Sequence, residues 1–75
     1  MSSIHDSRYR KLIEALILKR GLKNITQVQL ASSLKKPQSY VAKVENFERR
    51  IDVLELHDWL NVLGISIVNF LEENL

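Results

Sequence analysis

Seventy-five residues, 45% hydrophobic and 27% charged with no cysteine, make one small soluble globular domain, near the size where a single core is marginal and a partner subunit would help. The missing cysteine excludes disulfides and thiolate metal sites and fits a reducing cytoplasm; the longest apolar stretch, LIEALIL, is broken by Glu14 and too short to span a bilayer, and no leader is expected at the start of the chain. The net charge of +2 divides unevenly, because all 11 Lys and Arg lie in residues 1–50 against four acids, a balance of +7, whereas residues 51–75 hold five acids and neither Lys nor Arg. A basic front and an acidic back imply two surfaces with different partners.

No stretch alternates with period two, and only two glycines and one proline interrupt the chain, so the expected fold is all-α. Residues 1–5 are expected to form a loose terminus. Asp6 or Ser7 can cap a first helix, with Tyr9, Leu12, Ile13, Leu16 and Ile17 on one face. It ends at Gly21, or continues to Lys23 with Asn24 in the left-handed position. Thr26 and Gln29 spell a capping box for a second helix, with Leu30, Ala31 and Leu34 inward. Lys35 and Lys36 make a turn. Pro37 fits the first position of a third helix, which runs to about Asn46. After a loop carrying Arg49 and Arg50, Asp52 can cap a fourth helix through Leu63, with Val53, Leu56, Leu60 and Leu63 inward and Gly64 beyond its end. Ser66 can cap a short fifth helix containing Ile67, Phe70 and Leu71.

The second and third helices, short and joined by a tight turn, have the build of a helix-turn-helix over residues 26–46, a unit whose second helix lies in a DNA major groove. Ala31 is small where the two must cross. On a wheel of about 100° per residue, Val41 and Val44 face the core while Gln38, Ser39, Ala42, Lys43 and Asn46 cover the other side. Gln can pair with adenine, Lys can reach guanine O6 and N7, Ser can donate or accept, and the Ala42 methyl can meet a thymine methyl. Gln38, Ser39, Ala42 and Lys43 are therefore the expected base contacts. Gln27, at a positive helix end, suits a phosphate, and Lys35, Lys36, Arg49 and Arg50 bracket the third helix with charge. Asn46, at the end of the outward face, joins these phosphate contacts.

The stretch TQVQLASSLKKPQSYVAKVENFERRIDVLEL resembles the Xre/Cro-type, lambda-repressor-like helix-turn-helix family, and with its flanking helices the resemblance covers roughly residues 7 to 72. It implies a five-helix DNA-binding domain and assigns Gln27 to a phosphate, Gln38, Ser39 and Lys43 to bases, and Tyr40 to a place beside the DNA backbone. It also implies an ion pair between Arg20 and Glu45, a dimer formed through the last helix, and regulation of transcription from inverted-repeat sites. Three departures stand out. Lys35 occupies the usual glycine of the turn, where a positive φ would strain a non-glycine residue. Phe47 replaces the glycine after Asn46. Gly21 falls inside the longer first helix, weakening it by roughly 1 kcal/mol relative to Ala.

Residues 52–75 are acidic and carry more apolar side chains than one face per helix absorbs. Some of Trp59, Ile65, Ile67, Val68 and Phe70 are accordingly expected to supply a two-fold dimer contact, with Trp59 alternatively closing the monomer core. Such a dimer would set two recognition helices about 34 Å apart, one DNA turn. Nothing in the sequence spells an enzyme, a cofactor site or a metal site: His5 and His57 lie far apart without ligand spacing, and Ser32, Ser33 and Ser39 have no evident activating base. The expected partners are double-stranded DNA and a second copy of the chain, with no membrane. The alternative is a helical protein-interaction module, such as an antitoxin-like binder, working through the apolar back.

Overall fold

Side chains that satisfy the free N–H groups of a first turn decide where each helix starts. In the computed structural model, which describes residues 4–75, these starts open five helices: α1 (Ser7–Leu22), α2 (Gln27–Leu34), α3 (Gln38–Glu45), α4 (Val53–Leu63) and α5 (Ile67–Asn74). The expected loose terminus falls partly outside the described residues, at residues 1–3; Ile4 and His5 form a turn before α1. Asp6 caps α1 by accepting from the Arg8 N–H at 2.8 Å. Thr26 and Gln29 form the reciprocal box that opens α2, at 3.1 and 2.8 Å. Asp52 and Glu55 form a second such box at α4, at 2.8 and 3.0 Å, and Ser66 caps α5. Pro37 stands one position earlier than the sequence implied. Its φ of −69° suits a helix, but its ψ of 154° is extended, so it is the cap of α3 and Gln38 is the first helical residue.

Four helices end alike. Asn24, Lys35, Phe47 and Gly64 all take positive φ, at 58°, 58°, 61° and 70°. Each lets the following N–H reach back to a carbonyl of the last helical turn: Ile25 to Arg20 at 3.1 Å, Lys36 to Ala31 at 2.9 Å, Glu48 to Lys43 at 2.8 Å and Ile65 to Leu60 at 2.9 Å. These are Schellman-type closures, which favour glycine because a Cβ crowds the left-handed backbone. Only the last has one. Helix α1 runs through Gly21, and a Cβ built there meets nothing within 4 Å.

The core forms where all five helices converge. Leu16 of α1, Leu30 of α2, Val41 and Val44 of α3, Leu60 of α4 and Phe70 of α5 are fully enclosed. Ala31, also buried, belongs to the same cluster, and its small side chain suits the close approach of α2 to α3 and α4. Trp59 is 1% exposed and Phe70 0%. Trp59 takes the alternative of closing the monomer core, sharing one face of α4 with Leu56, Leu60 and Leu63, whereas Phe70, expected at a dimer contact, is instead core and seats α5 on α1 and α4. Val53, expected inward, is 63% exposed. It sits in the first turn of α4, between Ile51 and Leu56, and these two rather than Val53 reach the core there. Of the other residues expected at the dimer contact, Val68 is exposed, and Ile65 and Ile67 are partly buried.

Phe70→Ala should cost about 3–5 kcal/mol through its cavity, whereas Val68→Ala should stay within about 0.5 kcal/mol; urea unfolding at low protein concentration separates the two. Gly21→Ala should add about 1 kcal/mol, visible as a higher melting temperature.

Candidate nucleic-acid interface

The roll of α3 about its own axis decides which side chains face outward, and a buried carboxylate sets that roll. Glu45 is 7% exposed. Its two oxygens accept from Arg20 Nε at 2.7 Å and Arg20 Nη2 at 2.8 Å, a bidentate pair between α3 and α1. Arg20 Nη1 donates to the Ile25 carbonyl at 2.9 Å, tying the pair to the loop before α2. Gln27 Nε2, from α2, donates to the same carboxylate at 2.9 Å. Among the described residues, no enclosed side-chain nitrogen or oxygen lacks a hydrogen-bond partner, as burial of charge requires.

Beyond this anchor the opposite side of α3 is open. Gln38, Ser39, Lys43 and Asn46 are exposed, and Ala42 is partly so. Gln38 Nε2 approaches Gln27 Oε1 at 3.4 Å, so the first side chain of the outward face joins the network rooted at Glu45. Donors, acceptors and one ammonium thus share a face beside the small Ala42, the chemistry that reads base edges.

The cations around α3 fall into two settings. Lys35 and Lys36 are exposed in the turn, and Lys36 Nζ lies 5.5 Å from the centre of the Tyr40 ring. The Arg49 guanidinium lies 4.8 Å from the same ring, with Nη1 paired to Glu55 at 3.0 Å and donating to the Arg50 carbonyl at 2.8 Å. Arg50 turns instead toward α1, its guanidinium 5.0 Å from the Tyr9 ring. Tyr40, which the resemblance places beside the DNA backbone, turns its hydroxyl inward. It is 8% exposed; its oxygen accepts from Trp59 Nε1 at 3.0 Å and donates to Glu55 at 3.3 Å. Burial pushes its pKa up, so the phenol keeps its proton at neutral pH.

Two contributors escaped the sequence analysis. Glu55 supports both Tyr40 and Arg49 while closing the α4 capping box; the spacing of Asp52 and Glu55 is the signal that could have found the box. Arg10 stacks on Phe47, 3.9 Å from the ring centre, covering an apolar residue where a glycine was expected. Among the described residues, no group of three or more His, Cys, Asp or Glu is placed to hold a metal, and no helix is long and apolar enough to cross a membrane.

A family model described as Helix-turn-helix matches residues 16–70. Among solved structures, an XRE-family like protein from Pseudomonas syringae pv. tomato str. DC3000 is similar, at 41% identity over 93% of this chain and 85% of that one, with a TM-score of 0.88. No curated protein matches.

Arg20→Ala would strand the Glu45 carboxylate in the interior and should cost about 3–5 kcal/mol. Urea unfolding measures the loss. In a folded remnant, backbone NMR shifts should report movement of Gln27 and α3.

Proposed function

We propose, for a chain that belongs to the XRE-type helix-turn-helix family of DNA-binding regulators, that it represses transcription, including its own, by binding an inverted-repeat operator as a dimer in the cytoplasm. The observation that carries this reading is the outward face of α3. Gln38, Ser39, Ala42 and Lys43 meet base edges in the major groove, and Gln27, Lys35, Lys36, Asn46, Arg49 and Arg50 meet phosphates on either side. The phosphate contacts set register and the base contacts set sequence preference. Residues 1–50 supply the positive charge, and residues 51–75, with five acids and neither Lys nor Arg, add none.

The dimer is supported by what the core leaves outside. Val68 is 61% exposed on α5, with Ile65 and Ile67 partly covered beside it. A two-fold contact there would bury this apolar surface and double the groove-reading surface, so that each half-site is read by one α3. A second reading, an antitoxin-like binder of another protein, is favoured by a different observation: Leu18 and Leu22, one turn apart on α1, are 62% and 69% exposed, a pair the dimer does not use. The two readings differ in salt response, because phosphate contacts weaken steeply as salt rises and an apolar interface does not.

Selection of bound duplexes from a random pool should return a motif with two related halves. Against that motif, Lys43→Ala or Gln38→Ala should lose about 1–3 kcal/mol and relax the preference at one position per half. Arg49→Ala or Gln27→Ala should weaken all duplexes about equally. Unchanged affinity and preference in Lys43→Ala would sink the assignment of the reading face. A monomer by light scattering at concentrations where DNA is saturated would remove the dimer.

A further inference from the structure

Arg49 is an exposed cation held from several sides. A guanidinium carries five N–H donors in one plane, two of them on Nη1. Nη1 donates to the Arg50 carbonyl at 2.8 Å and forms an ion pair with Glu55 Oε2 at 3.0 Å. The Nε–H and the two Nη2 donors remain, and the Nε–H with the Nη2 donor parallel to it forms one edge of the plane, the fork that meets a phosphate through two parallel hydrogen bonds. The group lies 4.8 Å from the centre of the Tyr40 ring, and the side chain is 43% exposed. The guanidinium is thus held at Nη1 on a side chain that is still partly exposed.

What fixes it reaches back to the core. Glu55 Oε2 also accepts from the Tyr40 hydroxyl at 3.3 Å, and Glu55 Oε1 accepts from the Asp52 N–H at 3.0 Å. The Tyr40 oxygen accepts in turn from Nε1 of Trp59 at 3.0 Å, and Trp59 is 1% exposed. Two hydrogen bonds thus link a buried indole through a phenol to a carboxylate, and an ion pair joins that carboxylate to a surface guanidinium. A long side chain held in this way has less rotamer freedom left to lose when it meets a ligand.

We infer that Glu55 is a positioning residue of the DNA interface, holding Arg49 so that its Nε–Nη2 edge faces a backbone phosphate. The inference rests on the reading of Arg49 as a phosphate contact. It runs against simple charge counting, in which a carboxylate beside the interface repels DNA and withholds a cation, so that its removal would tighten binding. The two accounts predict opposite signs.

The test is binding of a labelled mixed-sequence duplex, followed by anisotropy across a series of KCl concentrations. Glu55→Gln neutralises the carboxylate and keeps a residue that can close the α4 capping box, and thermal melting confirms that the variant is folded. It should bind about three- to tenfold more weakly than the wild type, the factor expected for re-ordering one long side chain. In an Arg49→Ala background, the same change should no longer weaken binding. Arg49→Ala alone should reduce the slope of log affinity against log salt by about 0.9, one phosphate contact. Arg49→Lys, which leaves α4 untouched and keeps the charge without the fork, should fall between Arg49→Ala and the wild type. Glu55→Gln binding as tightly as the wild type or tighter, an equal loss in the Arg49→Ala background, or Arg49→Lys matching the wild type would each overturn the inference. A wild-type chain with no salt-sensitive affinity for the duplex would overturn the parent reading, and this one with it.

Discussion

The buried Glu45 carboxylate is the constraint on which the arrangement of the front half depends. It is reached by Arg20 from α1 and Gln27 from α2, so one side chain of α3 is fixed from two neighbouring helices. A buried ion pair is a poor source of net stability, because desolvating both charges offsets most of their attraction. Its contribution here is geometric. With both oxygens engaged by directional donors, α3 cannot roll without breaking charged hydrogen bonds, so the set Gln38, Ser39, Ala42, Lys43 and Asn46 stays outward. Hydrophobic contact through Val41 and Val44 alone would tolerate a wider range of roll, since apolar contact is non-directional.

Much of this was legible in the residues. The box of Thr26 and Gln29 located the start of α2, and the spacing of Val41 and Val44 separated the two sides of α3. Left-handed backbone at Asn24 was one of two readings of where α1 ends, and at Lys35 it came from the family resemblance, which puts that residue at the usual glycine of the turn. The ion pair of Arg20 and Glu45 came from family resemblance, because 25 residues of separation leave no local signal. What the sequence concealed is instructive. Counting apolar residues against one face per helix exaggerated the surplus in residues 52–75, because five short helices meeting at one point enclose more than a pairwise tally allows. Trp59 and Phe70 are the residues so absorbed. Tyr40 misled for a related reason: a residue at the interface by position can be inside by orientation, and only its partners, Trp59 and Glu55, reveal which.

The acidic half is therefore more than a counterweight to the basic one. Its core face, through Trp59, supports a ring against which two cations of the basic half rest. Its first turn supplies the carboxylate that engages one of them. The division of charge along the chain is real, yet the two halves meet at Glu55, where an acid of the back half is built into the front.

Lys35 shows where folding and recognition pull in different directions. Its left-handed backbone is one that glycine would adopt with less strain, yet glycine carries no ammonium group for the DNA to attract. On the proposed reading of Lys35 as a phosphate contact, the bend between α2 and α3 is a compromise, in which the domain accepts a less comfortable corner in return for charge at the rim of the groove. On that reading, drift toward sturdier versions of this corner would erode affinity, and drift toward tighter binders would preserve its strain.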